Sequence, residues 1–283
     1  MAKQKTYRMG EFSQRLGVTR DLVKHYEKQG ILTSRREEGN QYRYYYHSQY
    51  PAILISKKLQ NLGYSLREIG HLLNEATLEE YADENALRIA ALEREQLLRS
   101  MALEGLRFVH ACQQKAIEGT LVGSWEIEER PDLVFFPFSG MTEFLPLSPE
   151  DTAAMTDWTE ATPAVEYCRL IQEGKVIFGF TASAELARLL ELGGSQVEQF
   201  PACRVFCYYL KIPRSTIGGK ANSDEEEIQK MLPPALAAME AQGLKAEGPI
   251  LVRHLFEAPE DGKYFYYCQM SIPVRAESPT SPL

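Results

Sequence analysis

Apolar residues in the first 75 positions recur at helical spacing, and glycines break the runs. Phe12 and Leu16 share one face of a helix expected over 11–16. Gly17-Val18-Thr19 makes the turn that follows. Thr19 is placed to cap a second helix over 20–29, with Asp21 favourable to its dipole and Gly30 as its stop. Glu38-Gly39-Asn40, between the polar and aromatic stretches of 35–46, predicts a small hairpin. Ile53, Ile55, Leu59 and Leu62 mark a third helix ended by Gly63, and Ser65-Leu66-Arg67-Glu68 is a capping box opening a fourth. Two helices about a tight turn, followed by a hairpin, form the pattern of a winged helix-turn-helix.

Residues 77–119 contain no proline and are dense in Ala, Leu, Glu and Arg. Leu87, Ala91, Leu98, Met101, Gly105, Phe108 and Cys112 follow at spacings of 4, 7, 3, 4, 3 and 4, a heptad seam that skips only the slot of Arg94. A helix of roughly 50 Å or more cannot bury such a stripe alone. It either packs along its own domain or pairs in a two-stranded coiled coil between subunits. The flanking segments read as independently folded, which favours the coiled coil and a homodimer.

From residue 120 the period changes. Residues 133–138, 175–182, 202–211, 249–257 and 264–274 are rich in Val, Phe, Tyr and Ile and read as strands. Ser148-Pro149-Glu150-Asp151 opens one helical region and Ser223-Asp224-Glu225-Glu226 another, which Pro233-Pro234 should kink or split. The order strand, helix, strand, short strand (133–200), then strand, helix, strand, strand (202–274), suggests an internal duplication. The whole is an α+β chain with boundaries expected at 1–76, 77–119 and 120–275, and a Ser/Pro-rich disordered tail at 276–283.

Charge sharpens this picture. The chain of 283 residues carries a formal net charge of −8, yet residues 1–72 hold 13 Lys/Arg against 6 Asp/Glu. A basic head on an acidic body points to a polyanion partner for the head, most simply double-stranded nucleic acid. In a helix-turn-helix the second helix enters the major groove. Thr19, Arg20, Lys24, His25 and Tyr26 then lie on or near its outward side; Tyr42, Arg43 and Tyr44 would serve the wing, and Lys58 the third helix. The longest apolar runs are far short of a membrane span, and the N-terminus has no apolar core behind its charges. Five cysteines with no close pair argue against a disulfide framework. A soluble, cytoplasmic protein with no membrane partner is expected.

Tyr7-Arg8-Met9-Gly10-Glu11-Phe12, Gly17-Val18-Thr19, His25-Tyr26-Glu27-Lys28-Gln29-Gly30-Ile31-Leu32, Tyr42-Arg43-Tyr44-Tyr45 and Leu62-Gly63-Tyr64-Ser65-Leu66-Arg67-Glu68-Ile69 together resemble the MerR family of transcription regulators across residues 7–73. The family usually has arginine and tyrosine where this chain has Lys24 and His25; lysine keeps the charge and loses the bidentate fork. The resemblance implies a homodimer held by an antiparallel coiled coil, promoter DNA with an overlong spacer, and RNA polymerase as a partner. Bending and untwisting of that spacer on effector binding would make the protein an activator.

The body has the size, position and element order of the GyrI-like effector domains found in the multidrug-sensing branch of that family. The likeness implies a pocket between the two halves for bulky, lipophilic, often cationic compounds. Trp125, Phe136, Phe138, Phe178, Phe180, Tyr208, Phe256, Tyr266 and Tyr267 supply aromatic faces for such a ligand. Relatives often carry a buried glutamate in the strand after the second helix. Here that strand has no acid before Glu257, so Glu166, beside Tyr167 on a helical region over the first half, and Glu143 are the substitutes. GyrI-like domains can also hydrolyse small molecules, for which Glu166 and Tyr208 would be candidates. The chain shows no nucleophile elbow, phosphate loop or metal motif, and no catalytic residue or cofactor is expected. Cys112 belongs to the heptad stripe, and Cys203 and Cys207 share a strand face with no histidine close by, leaving a metal or redox sensor as the weaker alternative.

Overall fold

The computed structural model describes residues 5–36, 42–213 and 223–276. The chain divides into two compact units, residues 1–95 and 96–283.

In the first unit, strand β1 (Thr6–Arg8) leads into helix α1 (Met9–Arg15), and helix α2 (Arg20–Lys28) follows after a short turn. Strands β2 (Arg35–Arg36) and β3 (Arg43–Tyr46) pair antiparallel, with Arg35 opposite Tyr44 and Arg36 opposite Arg43. The expected hairpin turn, Glu38-Gly39-Asn40, lies outside the described residues. β3 also pairs with β1, giving the order β1-β3-β2. Helices α3 (Tyr50–Asn61) and α4 (Leu66–Asn74) close the unit over Phe12, Val23, Tyr26, Tyr45, Ile53, Leu59, Ile69 and Leu72. Gly30 and Gly63 end helices with φ of 70° and 90°, which favour glycine.

Helix α5 (Leu78–Ile117) is 40 residues long. Its early residues belong to the first unit, where Tyr81 packs on the core, Asn85 Oδ1 accepts from the Tyr64 hydroxyl at 2.9 Å, and Arg88 lies over the Tyr64 ring. Its later residues belong to the second unit. Among the described residues, no helix is long and apolar enough to cross a membrane.

The second unit contains β4 (Trp125–Arg130), β5 (Leu133–Ser139), α6 (Pro149–Glu160), β6 (Glu166–Gln172), β7 (Lys175–Ser183), α7 (Ala184–Leu189), β8 (Glu198–Phe200), β9 (Cys203–Pro213), α8 (Asp224–Glu240), β10 (Leu244–Ala246), β11 (Ile250–Glu260) and β12 (Lys263–Ala276). Ala276, assigned from sequence to the tail, ends the last strand; residues 277–283 lie outside the described residues.

The sheet runs β4-β9-β12-β11-β6-β7-β5-β8, with β10 on β12. β5-α6-β6-β7 and β9-α8-β11-β12 repeat one plan, and their strands appear in palindromic order about the central β11–β6 pair, where Ile250 faces Ile171. The duplication is therefore present, with its first copy closing at β7. The sequence pattern predicts a helical region where β6 lies; Glu166 is instead the first residue of that strand. α8 is a single helix despite Pro233 and Pro234. Both prolines are exposed, as are Gln229 and Lys230, whose carbonyls lose their donors to the prolines and can take water instead.

Both helices of the repeat lie on one face of the sheet. Trp158 of α6 stacks on Phe136 and Phe180, while Met231, Ala235 and Met239 of α8 bury against Phe206, Val252, Met270 and Ile272. The later part of α5 covers part of the other face, with Phe108, Cys112 and Ala116 against Tyr209, Leu255 and Tyr267. Leu98 and Met101 pack against the α6 cluster. Four of the seven seam residues expected between subunits are thus spent within the chain. Leu87, Ala91 and Gly105 remain exposed.

Candidate functional site

The N-terminal turn of α2 is held by its cap: Thr19 Oγ1 accepts from the Leu22 amide at 3.2 Å. Arg20 then starts the helix and Lys24 follows one turn later. Both reach a concavity of about 710 Å³ shared with Arg8, Gln14, Tyr42 and Arg43. Gly10 makes room there, since a Cβ on it would sit 2.8 Å from Arg20 Nη2. The Arg8 guanidinium lies 4.8 Å from the Tyr42 ring centroid. Lys24 pairs with Asp21 at 2.8 Å in solvent, and Arg43 Nη1 donates to Glu27 Oε2 at 2.5 Å, which anchors the wing strand to α2. Four cations, Arg8, Arg20, Lys24 and Arg43, thus line one concave surface, together with Glu11.

Not every residue expected on this face is there. Tyr26 is fully buried, and its hydroxyl donates to Gln60 Oε1 at 3.0 Å. Three residues after Val23, it shares the inner side of α2. Tyr44 is half-buried in the small sheet, and His25 and Lys58 are exposed but do not line the concavity. Arg8 and Gln14 were missed. Arg8 precedes the expected first helix, and only its place in a basic strand end could have marked it.

In the body, Tyr167 and Arg169 alternate onto the helix-bearing face of β6, opposite Phe180 and Phe178 of β7. Ring centroids are 6.2 Å apart for Phe138 and Tyr167, and 6.1 Å for Tyr167 and Phe178. The Arg169 guanidinium sits 5.6 Å from the Phe178 ring and 5.7 Å from that of Tyr266. Glu227 of α8 approaches Arg169 to 3.8 Å. His254 meets Tyr266 edge-on at 5.3 Å, and burial holds its pKa below the ordinary histidine value. Phe138, Tyr167, Phe178 and Tyr266, all named from the sequence, are thus the aromatic members of this cluster. Arg169, Glu227 and His254 join them unforeseen.

The model for MerR HTH family regulatory proteins matches residues 7–76, the span that forms this cation-lined face. The head is a MerR-type helix-turn-helix domain. A mercuric resistance operon regulatory protein from Bacillus cereus is 28% identical over 93 residues, 31% of this chain and 70% of the relative. Among solved structures, an EcmrR–DNA complex covers 95% of this chain and is covered in full, at 17% identity and a TM-score of 0.36. A hydrolase encoded by lin2189 from Listeria innocua covers 58% of this chain, over 97% of its own length, at 10% identity and a TM-score of 0.34.

Beyond the MerR-type head, the remaining expected ligand residues fall into separate groups. Trp125 stacks on Phe206 at 5.2 Å, opposite Tyr208 across the β4–β9 ladder, and Tyr208 is buried in the α8 core. Phe256 and Tyr267 stack at 4.5 Å on the other face, beneath α5. Glu166 lines a cleft of about 930 Å³ with Tyr167, Phe108, Arg253, His254 and Gln269, so Glu166 and Tyr167 share one cleft. Its Oε1 accepts from Arg253 Nη1 at 2.6 Å, and the Arg253 guanidinium lies 4.6 Å from the Phe108 ring centroid. Burial raises the Glu166 pKa and Arg253 opposes the rise. Glu143 is exposed.

Proposed function

We propose that the chain is a dimeric, ligand-responsive transcription regulator. The MerR-type head reads double-stranded promoter DNA through the first turns of α2, and the body acts as a GyrI-like effector domain. The observation that carries the reading is the concavity in which Arg8, Arg20, Lys24 and Arg43 converge beside the N-terminus of α2. Activation follows by distortion of the promoter spacer in the presence of RNA polymerase. The effector is a lipophilic aromatic compound held against Phe138, Tyr167 and Phe178. Its expected positive charge finds little support, because Glu166 is engaged by Arg253 and Glu227 faces Arg169. Hydrolysis is not proposed either. Tyr208 is buried under α8, whereas Glu166 lines the cleft beside α5.

Selection of the full chain on a random duplex pool tests the DNA reading. Enrichment of one two-fold-related sequence is expected. Arg20→Ala should weaken binding to it by about tenfold or more and flatten the preference at the contacted base pair. Recovery of no preferred sequence would refute the reading.

A further inference from the structure

Arg169 lies between Cys168 and the apolar Leu170-Ile171, and its side chain is only 12% exposed. A buried guanidinium is costly unless its donors are met. Here they are met poorly. Nη1 reaches the Met231 sulfur at 3.7 Å and stands 3.8 Å from Glu227 Oε1, beyond hydrogen-bond length, and the Cys268 sulfur is a second weak acceptor for the guanidinium. Nε is buried without a partner. His254 Nε2, across the Tyr266 ring, is buried without one as well, and Glu257 comes no nearer to it than 3.9 Å. Two buried nitrogens, Arg169 Nε and His254 Nε2, thus lie on either side of the Tyr266 ring without an oxygen partner. An aromatic wall stands beside them, its outermost ring being the 42% exposed Tyr167.

We infer that the aromatic cluster of Phe138, Tyr167, Phe178 and Tyr266 selects an aromatic ligand bearing an oxyanion, a carboxylate or sulfonate, which binds Arg169 while the ring lies on Tyr167. The inference rests on this cluster being the effector site. An organic cation placed there would meet Arg169 first, at a depth where like charges are weakly screened. An oxyanion instead supplies the missing acceptors, and charge-assisted bonds of this kind are among the stronger ones.

The test uses the full-length protein and three fluorescent probes that share one ring: pyrene-1-carboxylate, its methyl ester, and (pyren-1-ylmethyl)trimethylammonium. The carboxylate should bind about tenfold tighter than the ester, with the ammonium weakest. Arg169→Gln should reduce the carboxylate to the affinity of the ester and leave the ester within about twofold. Arg169→Lys should retain part of the preference, and it decides the matter should the glutamine variant fail to fold. An ester or ammonium bound as tightly as the carboxylate, or a preference that survives loss of the Arg169 charge, would overturn the assignment and leave the aromatic cluster as an effector site. No binding by any probe would overturn both readings.

Discussion

Asp151 has no solvent exposure, yet its carboxylate is fully served. It accepts from the hydroxyl of Ser148 at 2.7 Å, the hydroxyl and amide of Ser195 at 2.7 Å each, and the amide of Gln196 at 3.3 Å. One residue thereby closes the capping box of α6 and pins the 193–197 loop. The Ser148 hydroxyl, then Ser195 and the backbone amides, hold its pKa far below the usual carboxylate range. A depressed acid stabilises the fold above its ordinary pKa of about 4, and that contribution is lost as pH falls below it. Asp151→Asn should therefore melt at a lower temperature than wild type at pH 7, with the gap narrowing in acid; a gap independent of pH would show that the charge is not what matters. Gly179 is as constrained by space. A Cβ there would lie 2.4 Å from the Phe135 ring and 2.5 Å from the Phe136 carbonyl oxygen. Gly179→Ala should cost about 1–3 kcal/mol in denaturant unfolding without loss of DNA binding.

At the scale of elements, α5 has two apolar sides. Leu98, Met101, Phe108 and Cys112 face their own domain. Ile89, Leu92, Leu103 and Leu106 are exposed at spacings of 3, 11 and 3, which at 100° per residue places them on the opposite side of the helix. That second stripe is the better seam for a partner helix. Leu103→Asp with Leu106→Asp should yield monomers by analytical ultracentrifugation while the melting temperature holds. Leu98→Asp with Met101→Asp should instead destabilise the fold by about 2 kcal/mol or more. The heptad count found the first stripe and missed the second because spacing shows which residues share a face, not what covers it. The same limit separates the rest of what was legible. The head could be read almost element by element, since its helices are bounded by caps and glycines whose chemistry is local. The long strands of the body announced themselves by Val, Phe and Tyr. β4 did not, because an edge strand can carry Glu126, Glu128 and Glu129. β6 did not, because Glu166 and Arg169 break its apolar run for reasons that lie on other strands. Phe138, Tyr167 and Phe178 could be named from aromatic content, whereas Arg169 became visible only once β7, α8 and β12 surrounded it. A lone arginine within an apolar strand was the one signal available.

At the scale of the whole molecule, a regulator needs the effector site and the DNA-binding head to share an equilibrium. The chain offers one covalent element for this, since α5 contributes residues to both units. Tyr167 is followed back along β6 by Glu166, with which it lines the cleft beside α5; Glu166 holds Arg253, and Arg253 lies over Phe108 of α5. If this chain of contacts transmits binding, Phe108→Ala should leave the affinity for ligand and the affinity for the selected duplex each within about twofold, yet reduce the factor by which one changes the other. Linkage requires that reduction to be equal in both directions, so ligand titrations with and without duplex, and duplex titrations with and without ligand, must agree. A coupling energy is typically about 1–3 kcal/mol, large enough for its loss to be read in either titration. Undiminished coupling in Phe108→Ala would place the route elsewhere in the sheet and leave the Arg253 stack as packing alone.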